Sequence, residues 1–240
     1  MQFEYIAEIK KCFLDDFIPI ISVDTKKKEL IGNFKNEGKT WCKEPEEVNV
    51  HDFKKDAECR AVPYGIYDIA ENEGLVYIGT SADTSEFAVD AIKYWWQKIG
   101  RKKYLYNDQL CIFADAGGSN NCNYRLFKQQ IQEKLANGLG LNIVVCHYPT
   151  GASKWNPIEH KLFGPISVNW AGKPLRSINT MRRCIEGTTN KSKLKVKTAV
   201  TDKKYHKKIK VSDEEMKNIN IIRHDVCPNW NYTIFPNNLQ

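Results

Sequence analysis

Residues 17–24 read FIPIISVD, a β-branched apolar run that ends in an acid. Such a run predicts a buried strand, because a strand that is covered on both faces shows no polar alternation. Residues 109–115, QLCIFAD, have the same form and also end in an acid. Asp24 and Asp115 therefore stand at the ends of two strands that we expect inside a sheet.

Three further strands are predicted from β-rich runs. VPYGIYDIA at 62–70 and GLVYIGT at 74–80 are separated by a short polar turn, which favours an antiparallel hairpin. LNIVVCHY at 141–148 is the next. A short extended piece is also expected directly after the first strand, and the polar stretch 36–60 is interpreted as an insertion or surface loop.

Helical periodicity marks three segments. The first begins near Asp83, which forms a cap-like pair with Glu86, and stops at Gly100; its two tryptophans fall on the apolar stripe and are interpreted as core. The second is predicted at 121–137 and the third begins at Pro157. The order β-β-β-α-β-α-β-α predicts an RNase H-like α/β fold, in which three antiparallel strands and then parallel strands form a mixed sheet flanked by helices.

In that arrangement the first strand lies beside the fourth, so Asp24 and Asp115 become neighbours at one edge of the sheet. Glu159 stands on the third helix, which can lean over the same edge. The local sequence leaves a second interpretation open, because Asn156 is a good N-cap and Glu159 falls where a capping-box carboxylate would.

Three carboxylates at one point repel each other at neutral pH unless a cation is present. Oxygen ligands without His or Cys suit Mg²⁺ or Mn²⁺. Two such ions about 4 Å apart support in-line phosphoryl displacement, with Asp24 bridging them and Asp115 and Glu159 each completing one.

The composition, with 42% hydrophobic and 27% charged residues, is that of a folded soluble protein. The longest apolar run is too short to span a bilayer, and the first residues carry acids where a signal peptide needs basic ones. We therefore expect a cytosolic protein without a membrane partner. The eight cysteines include no C-x-x-C pair, so no zinc site is expected.

The C-terminal part carries much of the net charge of +7. Nine lysines stand between Lys191 and Lys210, against the single acid Asp202. A run of this kind is either a solvated loop or a polyanion-binding surface. Around it the pattern predicts helices at 175–189 and 212–218 and ends in a terminal strand, NYTIF.

Several segments together resemble one family. ISVDTKKKELIGNF, VPYGIYDIA, IFADAGGSN, the run SKWNPIEHKLF and the closing WNYTI are similar, in the same order, to insertion-sequence transposases of the Rhodopirellula transposase DDE domain family. The short NPIEH element is also similar to the region around the last acid of mariner-like transposases. The likeness covers nearly the whole chain.

The resemblance implies an RNase H-like catalytic core whose acids are Asp24, Asp115 and Glu159 and whose cofactor is a pair of Mg²⁺ or Mn²⁺ ions. It implies hydrolysis of a DNA phosphodiester at a transposon end and transfer of that strand to target DNA, in the bacterial cytosol on the nucleoid, by a chain that can form homo-oligomers. Such transposases ordinarily carry an upstream helix-turn-helix, and this sequence displays no recognition helix. A remnant that only binds DNA or protein, and an RNase H-like nuclease without strand transfer, stay open as alternatives.

Basic side chains near the acids and in the C-terminal part are expected to contact the DNA backbone, which positions DNA without reading its sequence. They are Lys26, Lys27, Lys28, Lys154, Lys203, Lys204, Lys207 and Lys208. Asp68 is interpreted as structural. His147 and His160 flank the site, where they either assist proton transfer or simply pack.

The chain is predicted to divide into three parts. Residues 1–16 form a lead-in helix, and 17–170 form the catalytic core, which contains the loop at 36–60. Residues 171–240 form an extension packed on the core, and its lysine-rich segment is expected to be a mobile arm that faces DNA.

Overall fold

The computed structural model of the protein describes residues 1–44, 46–51 and 54–237. Within this part of the chain, nine strands form one sheet. The strands are β1 Ile20–Thr25, β2 Glu29–Ile31, β3 Cys59–Asp68, β4 Glu73–Gly79, β5 Gln109–Asp115, β6 Asn142–Tyr148, β7 Lys195–Thr201, β8 Ile221–Arg223 and β9 Asn231–Ile234. Every strand predicted from the sequence is present, with small differences at its ends.

The helices agree with the predicted ones in position. They are α1 Gln2–Asp15, α2 Ser85–Trp95, α3 Arg101–Lys103, α4 Arg125–Ile131, α5 Gly164–Asn169, α6 Ile178–Glu186 and α7 Asp213–Lys217. Three π-helical segments, Trp96–Gly100, Gln132–Asn137 and Glu159–Phe163, follow α2, follow α4 and precede α5. None of the helices in the described residues combines the length and apolar character that crossing a membrane requires.

The strand order in the sheet is β7-β4-β3-β1-β5-β6-β9-β8, and β2 pairs with β3. β1 pairs antiparallel with β3 and parallel with β5, and β3 pairs antiparallel with β4. β5 and β6 are parallel. The predicted RNase H-like arrangement, with the first strand beside the one at 109–115, is therefore confirmed.

Helices cover both faces of the sheet, and side chains of β1 alternate between them. Ile21 and Val23 join the apolar cluster beneath α2 and α4. Ile20 faces the other way and packs with Ile6 of α1. Ser22 and Asp24 share the face of Ile20, and this is the face on which the helix containing Glu159–Phe163 lies.

The predicted lysine-rich arm differs from the structure over Lys195–Thr201, which is β7. This strand pairs in parallel with β4 at the edge of the sheet. Val196 is buried in the cluster on one face and Ala199 in the cluster on the other. The prediction of a mobile arm is wrong for these residues because apolar side chains between the lysines anchor the segment on both faces.

The remaining C-terminal elements extend the sheet at its opposite edge. β9 pairs antiparallel with β6, and β8 pairs with β9. Residues 202–210 have no regular secondary structure. Residue 45 and residues 52–53 of the predicted loop, and residues 238–240 of the predicted extension, lie outside the described residues.

Close packing of the helix that carries Glu159 depends on a glycine in the sheet. Gly65 on β3 stands opposite Asp24 on β1. A Cβ atom at Gly65 would lie 2.8 Å from Ile158 Cδ1 and would overlap the Phe163 ring. The missing side chain therefore lets the helix approach the sheet beside Asp24.

Replacing Gly65 tests this packing. We expect Gly65→Ala to lower the free energy of unfolding by about 1–3 kcal/mol, because overpacking a core forces side chains and backbone to shift. The measurement is urea denaturation monitored by circular dichroism. Gly117→Ala is the matched control, since a Cβ there meets nothing within 4 Å, and we expect no loss of stability from it. Equal stability of Gly65→Ala and the native chain would contradict the packing argument.

Candidate active site

Two aspartates mark the edge of the sheet where β1 and β5 end. The parallel register pairs Val23 with Ala114, so the next residues along the two strands are Asp24 and Asp115. Each carboxylate accepts a hydrogen bond from the following backbone N–H, at 2.7 Å from Thr25 and 2.8 Å from Ala116. These bonds fix both side chains to the strand ends.

The two aspartates also share a face of the sheet. On β5, Phe113 packs with Ile6 and Ile20 on the α1 face, and Asp115 is two positions further along. Because side chains two apart on a strand lie on the same side, Asp115 faces the same way as Asp24. The helix that starts at residue 157 covers this face.

A buried hydrogen-bond cluster attaches that helix to β1. The Ser22 hydroxyl donates to Asn156 Oδ1, and the same hydroxyl accepts from the backbone N–H of Ile158 at 3.1 Å. Asn156 Nδ2 donates to the carbonyl oxygen of Val23 at 3.4 Å. Ser22 and Asn156 are both fully buried. The cluster therefore places the start of the helix, and Glu159 with it, beside the end of β1.

The prediction that Asn156 caps this helix through its side chain is wrong. Residues 157 and 158 are the first helical residues, as expected, but the Asn156 side chain bonds Ser22 and the Val23 carbonyl oxygen of β1. The Ser22 hydroxyl, not the Asn156 side chain, accepts from a backbone N–H of the first turn, that of Ile158. Within the described residues, the Glu159 carboxylate takes part in no capping box.

Electrostatics connects the three acids. Burial raises the pKa of Asp24 to about 7; the Thr25 N–H bond opposes this shift, and the negative charges of Glu159, Asp115 and Asp83 add to it. Burial also raises the pKa of Glu159, against the positive charges of Lys26 and His160 and with the negative charge of Asp115. The carboxylates thus lie close enough to disfavour one another's ionisation.

The pKa of Asp115 is also raised by burial, and its bond from Ala116 opposes the shift. Among the described residues, however, no three His, Cys, Asp or Glu side chains are gathered closely enough to hold a metal ion together. The acids are neighbours with hard oxygen donors and an excess of negative charge, which is the chemistry that a divalent cation fits. Their carboxylates would have to draw together to ligate one.

A fourth acid lies at the same edge, and the sequence interpretation missed it. Asp83 accepts a hydrogen bond from the Thr25 hydroxyl at 3.1 Å and pairs with Lys28 at 3.3 Å. The predicted cap role of Asp83 is wrong, because the Thr84 side chain accepts from the Phe87 N–H as N-cap of α2. The adjacent Thr84 was a second candidate in the sequence, because threonine is also among the preferred N-cap residues.

The three lysines after Asp24 each have an acidic partner in the protein. Lys27 lies 2.8 Å from Glu37, and Lys28 pairs with Asp83 as above. Lys26 lies 3.7 Å from Glu29 with its side chain only 12% exposed, and its Nζ stands 4.7 Å from the centroid of the Trp170 ring. Burial lowers the pKa of Lys26.

The more distant predicted lysines lie in four different environments. Lys154 Nζ stands 5.4 Å from the centroid of the Trp155 ring. Lys203 is held by Glu86 at 2.7 Å and Asp90 at 2.8 Å.

Lys204 is exposed. Lys207 and Lys208 line a groove of about 630 Å³ together with Arg125, Lys210 and Tyr124. We call the region of Asp24, Asp83, Asp115 and Glu159 the acidic edge. Asp83 also lines this groove, so the groove reaches the acidic edge.

His147 and Asp68 have structural partners. His147 is fully buried, with Nδ1 3.3 Å from the Asp115 carbonyl oxygen and Nε2 3.3 Å from the Tyr232 hydroxyl. Burial lowers the pKa of His147 to about 3, so its ring stays neutral at physiological pH. Asp68 accepts from the Tyr104 hydroxyl at 3.0 Å.

His160 is exposed, and its Nε2 donates to the Lys154 carbonyl oxygen at 2.5 Å. This bond joins the turn before the helix to the first turn of the helix. The exposed imidazole ring of His160 therefore lies next to Glu159.

The strand order and the helices on both faces of the sheet define an RNase H-like domain. The chain belongs to the Rhodopirellula transposase DDE domain family, whose model matches residues 1–236. No protein with a curated description matches the chain by sequence.

Two solved structures are similar to the chain. One is the Mos1 transposase paired-end complex with the left transposon end, at 10% identity and a TM-score of 0.47, covering 68% of this chain and 45% of that one. The other is the Mos1 mariner paired-end complex with Mn, at 10% identity and a TM-score of 0.43, covering 68% of this chain and 46% of that one. The chain thus spans less than half the length of the solved chains that it matches.

The raised pKa of Asp24 predicts a pH-dependent stability. A folded-state pKa of about 7, above the ordinary 3.8, means that the folded protein binds this proton more tightly than the unfolded chain does. Stability is therefore lost as the pH rises from about 4 to about 7, by up to about 4 kcal/mol. Asp24→Asn removes the ionisable group, so we expect this variant to exceed the native chain in stability at pH 8 and to lose more than half of that advantage at pH 5.

The measurement is urea unfolding of both proteins at the two pH values, in buffer without divalent cations. The comparison of the two pH values within each protein removes any effect of the substitution on packing. An equal pH dependence in Asp24→Asn and the native chain would show that Asp24 is not held in its neutral form by the fold.

Proposed function

We propose that this chain is the catalytic domain of a DDE transposase, which hydrolyses a DNA phosphodiester at a transposon end and joins the freed strand to target DNA. The observation that carries the proposal is the convergence of Asp24, Asp115 and Glu159 on one face of the sheet, where the charges of Glu159 and Asp115 raise the pKa of Asp24. Membership of the DDE family supports the assignment of these acids.

The cofactor we propose is a pair of Mg²⁺ or Mn²⁺ ions held by Asp24, Asp115 and Glu159, with Asp24 shared between them. Carboxylate oxygens without His or Cys suit these ions. When bound, such ions would neutralise the acidic edge and stabilise the charge that develops on the phosphate during displacement. Because the structure does not bring these carboxylates close enough to hold one ion together, binding would draw them together.

The protein's own residues hold the two sides of this site. The backbone N–H groups of Thr25 and Ala116 orient the aspartates. Ser22 and Asn156 hold the helix of Glu159 against β1. Lys26, whose charge acts on Glu159, would balance that carboxylate before a cation arrives.

The substrate we propose is double-stranded DNA, comprising transposon ends and a target, which places the enzyme on the nucleoid in the cytosol. The groove lined by Lys207, Lys208 and Lys210 would hold its backbone, since each neutralised phosphate releases counterions. Arg125 also lines the groove, but it is paired with Asp213 at 2.6 Å. The lysines that have acidic partners in the protein, such as Lys27 and Lys203, would contribute less. A homo-oligomer would bring two transposon ends together.

Nicking of supercoiled plasmid by the purified chain tests the catalytic proposal. We expect nicking that requires Mg²⁺ or Mn²⁺ and is abolished by EDTA. Asp24→Asn, Asp115→Asn and Glu159→Gln should each lower its rate at least about 100-fold, because several kcal/mol of transition-state stabilisation depend on the held cation. Asp68→Asn is the matched control, since Asp68 is a buried acid with its own partner, Tyr104.

The outcome separates the alternatives. DNA binding without metal-dependent nicking would indicate a domain that only binds, and equal loss in Asp68→Asn would indicate damage to the fold. Incubation with an oligonucleotide that ends in a free 3′-hydroxyl reports strand transfer, and nicking without joining would indicate a nuclease.

Salt dependence of DNA binding tests the basic groove. The double variant Lys207→Gln, Lys208→Gln should bind duplex DNA more weakly and reduce the slope of log affinity against log salt by about 2, roughly one for each lost phosphate contact. The measurement is fluorescence anisotropy at several salt concentrations with EDTA present. Lys203→Gln is the control, since Lys203 is compensated by Glu86 and Asp90. An equal change of slope in both variants would place the DNA elsewhere.

A further inference from the structure

Two exposed aromatic rings lie together beside the acidic edge. Trp155 is 60% exposed and Phe3 is 44% exposed, and their ring centroids are 5.7 Å apart. Phe3 also lies 6.4 Å from the ring of Tyr148, which is buried. We call Phe3 and Trp155 the aromatic platform. It joins the first turn of α1 to the short 3-10 turn Ser153–Trp155.

The platform borders the acids on both sides. Tyr148, beneath Phe3, pairs with Asp115 in the parallel register of β5 and β6. Trp155 directly precedes Asn156, whose side chain is bonded to β1 next to Asp24. Trp155 is therefore held next to the end of β1 through Asn156, and Phe3 lies over the end of β6, the strand next to β5.

Lys154 places a positive charge on the platform. Its Nζ stands over the Trp155 ring, 5.4 Å from the ring centroid. His160 donates to the Lys154 carbonyl oxygen, which holds this turn against the helix. A planar apolar surface with a cation beside it complements a nucleotide, whose base is flat and whose phosphate is anionic.

Resting on the function proposed above, we propose that the aromatic platform stacks unpaired bases of the DNA strand whose phosphate lies at the acidic edge. A base within a duplex already has its two faces covered by its neighbours, whereas an unpaired base can lay one face on an aromatic ring. Stacking on an aromatic side chain contributes about 5- to 150-fold in affinity for each base. The platform would thus favour DNA with unpaired bases next to the reacting phosphate.

Binding of two oligonucleotides tests the platform. One is a blunt duplex, and the other is the same duplex with a short single-stranded extension. We expect the native chain to prefer the extended duplex. Trp155→Ala should lower affinity for the extended duplex by about 10-fold, as expected for the loss of one stacked base, and leave affinity for the blunt duplex unchanged. The measurement is fluorescence anisotropy with EDTA present, so that no cleavage occurs.

Control variants keep the test specific. Trp155→Phe retains a stacking ring and should retain most of the preference. Trp41→Ala removes a tryptophan that is fully exposed but forms no aromatic pair in the described part of the chain, and it should change neither affinity. Phe3→Ala provides a second variant of the platform and should lower the preference in the same direction as Trp155→Ala.

Equal weakening of both duplexes by Trp155→Ala, or no weakening of either, would overturn the proposal. Loss of the preference in Trp41→Ala would do the same. Self-association of the native chain that disappears in both Trp155→Ala and Phe3→Ala, measured by sedimentation without DNA, would assign the platform to a second copy of the chain and so also overturn it.

The result is separable from the proposed catalytic function. Asp24→Asn should lose metal-dependent nicking yet keep the preference for the extended duplex. A native chain that shows the preference but never nicks DNA would support the platform and count against the catalytic assignment.

Discussion

The hydrogen-bond cluster of Ser22 and Asn156 is the constraint on which the site depends. Ser22 bonds Asn156 and the Ile158 N–H, and Asn156 also bonds the Val23 carbonyl oxygen, so the cluster places the helix of Glu159 against the strand of Asp24. Both side chains are fully buried. A buried hydroxyl or amide without a partner is costly, so each group stabilises the other's position. Gly65 opposite Asp24 allows the same helix to approach through Ile158 and Phe163. Hydrogen bonds and close packing together therefore fix the position of the helix that carries Glu159.

The acidic edge lowers the stability of the folded protein at neutral pH. Burial and neighbouring negative charges raise the pKa of Asp24 to about 7, so its ionised form destabilises the fold at neutral pH. Lys26 and Lys28 compensate part of this charge through Glu159 and Asp83. Local cost of this kind is common at functional sites, where perturbed pKa values cluster. A divalent cation bound between the carboxylates would remove this repulsion.

The sequence correctly predicts the two strands that carry Asp24 and Asp115. The apolar runs that end at Asp24 and Asp115 predict two adjacent strands, because long β-branched runs have few other structures to adopt. The role of Asn156 could not be predicted from its neighbours, since its partner Ser22 lies on β1, far away in sequence. The same holds for Asp83, whose contacts come from Thr25 and Lys28. Local sequence preferences predict where a helix starts. Hydrogen bonds to residues far away in sequence decide which polar side chain caps that helix and which one bonds elsewhere.

The two aspartates and Glu159 are held in different ways. Asp24 and Asp115 are fixed by strand pairing and by bonds from the next backbone N–H. Glu159 instead begins a π-helical segment, and π-helical turns are frequent at functional sites. The helix is anchored before Glu159 by Asn156 and after it by Phe163. Because both aspartates are bonded to the strand ends, gathering the three carboxylates around a cation would depend mainly on the Glu159 side chain.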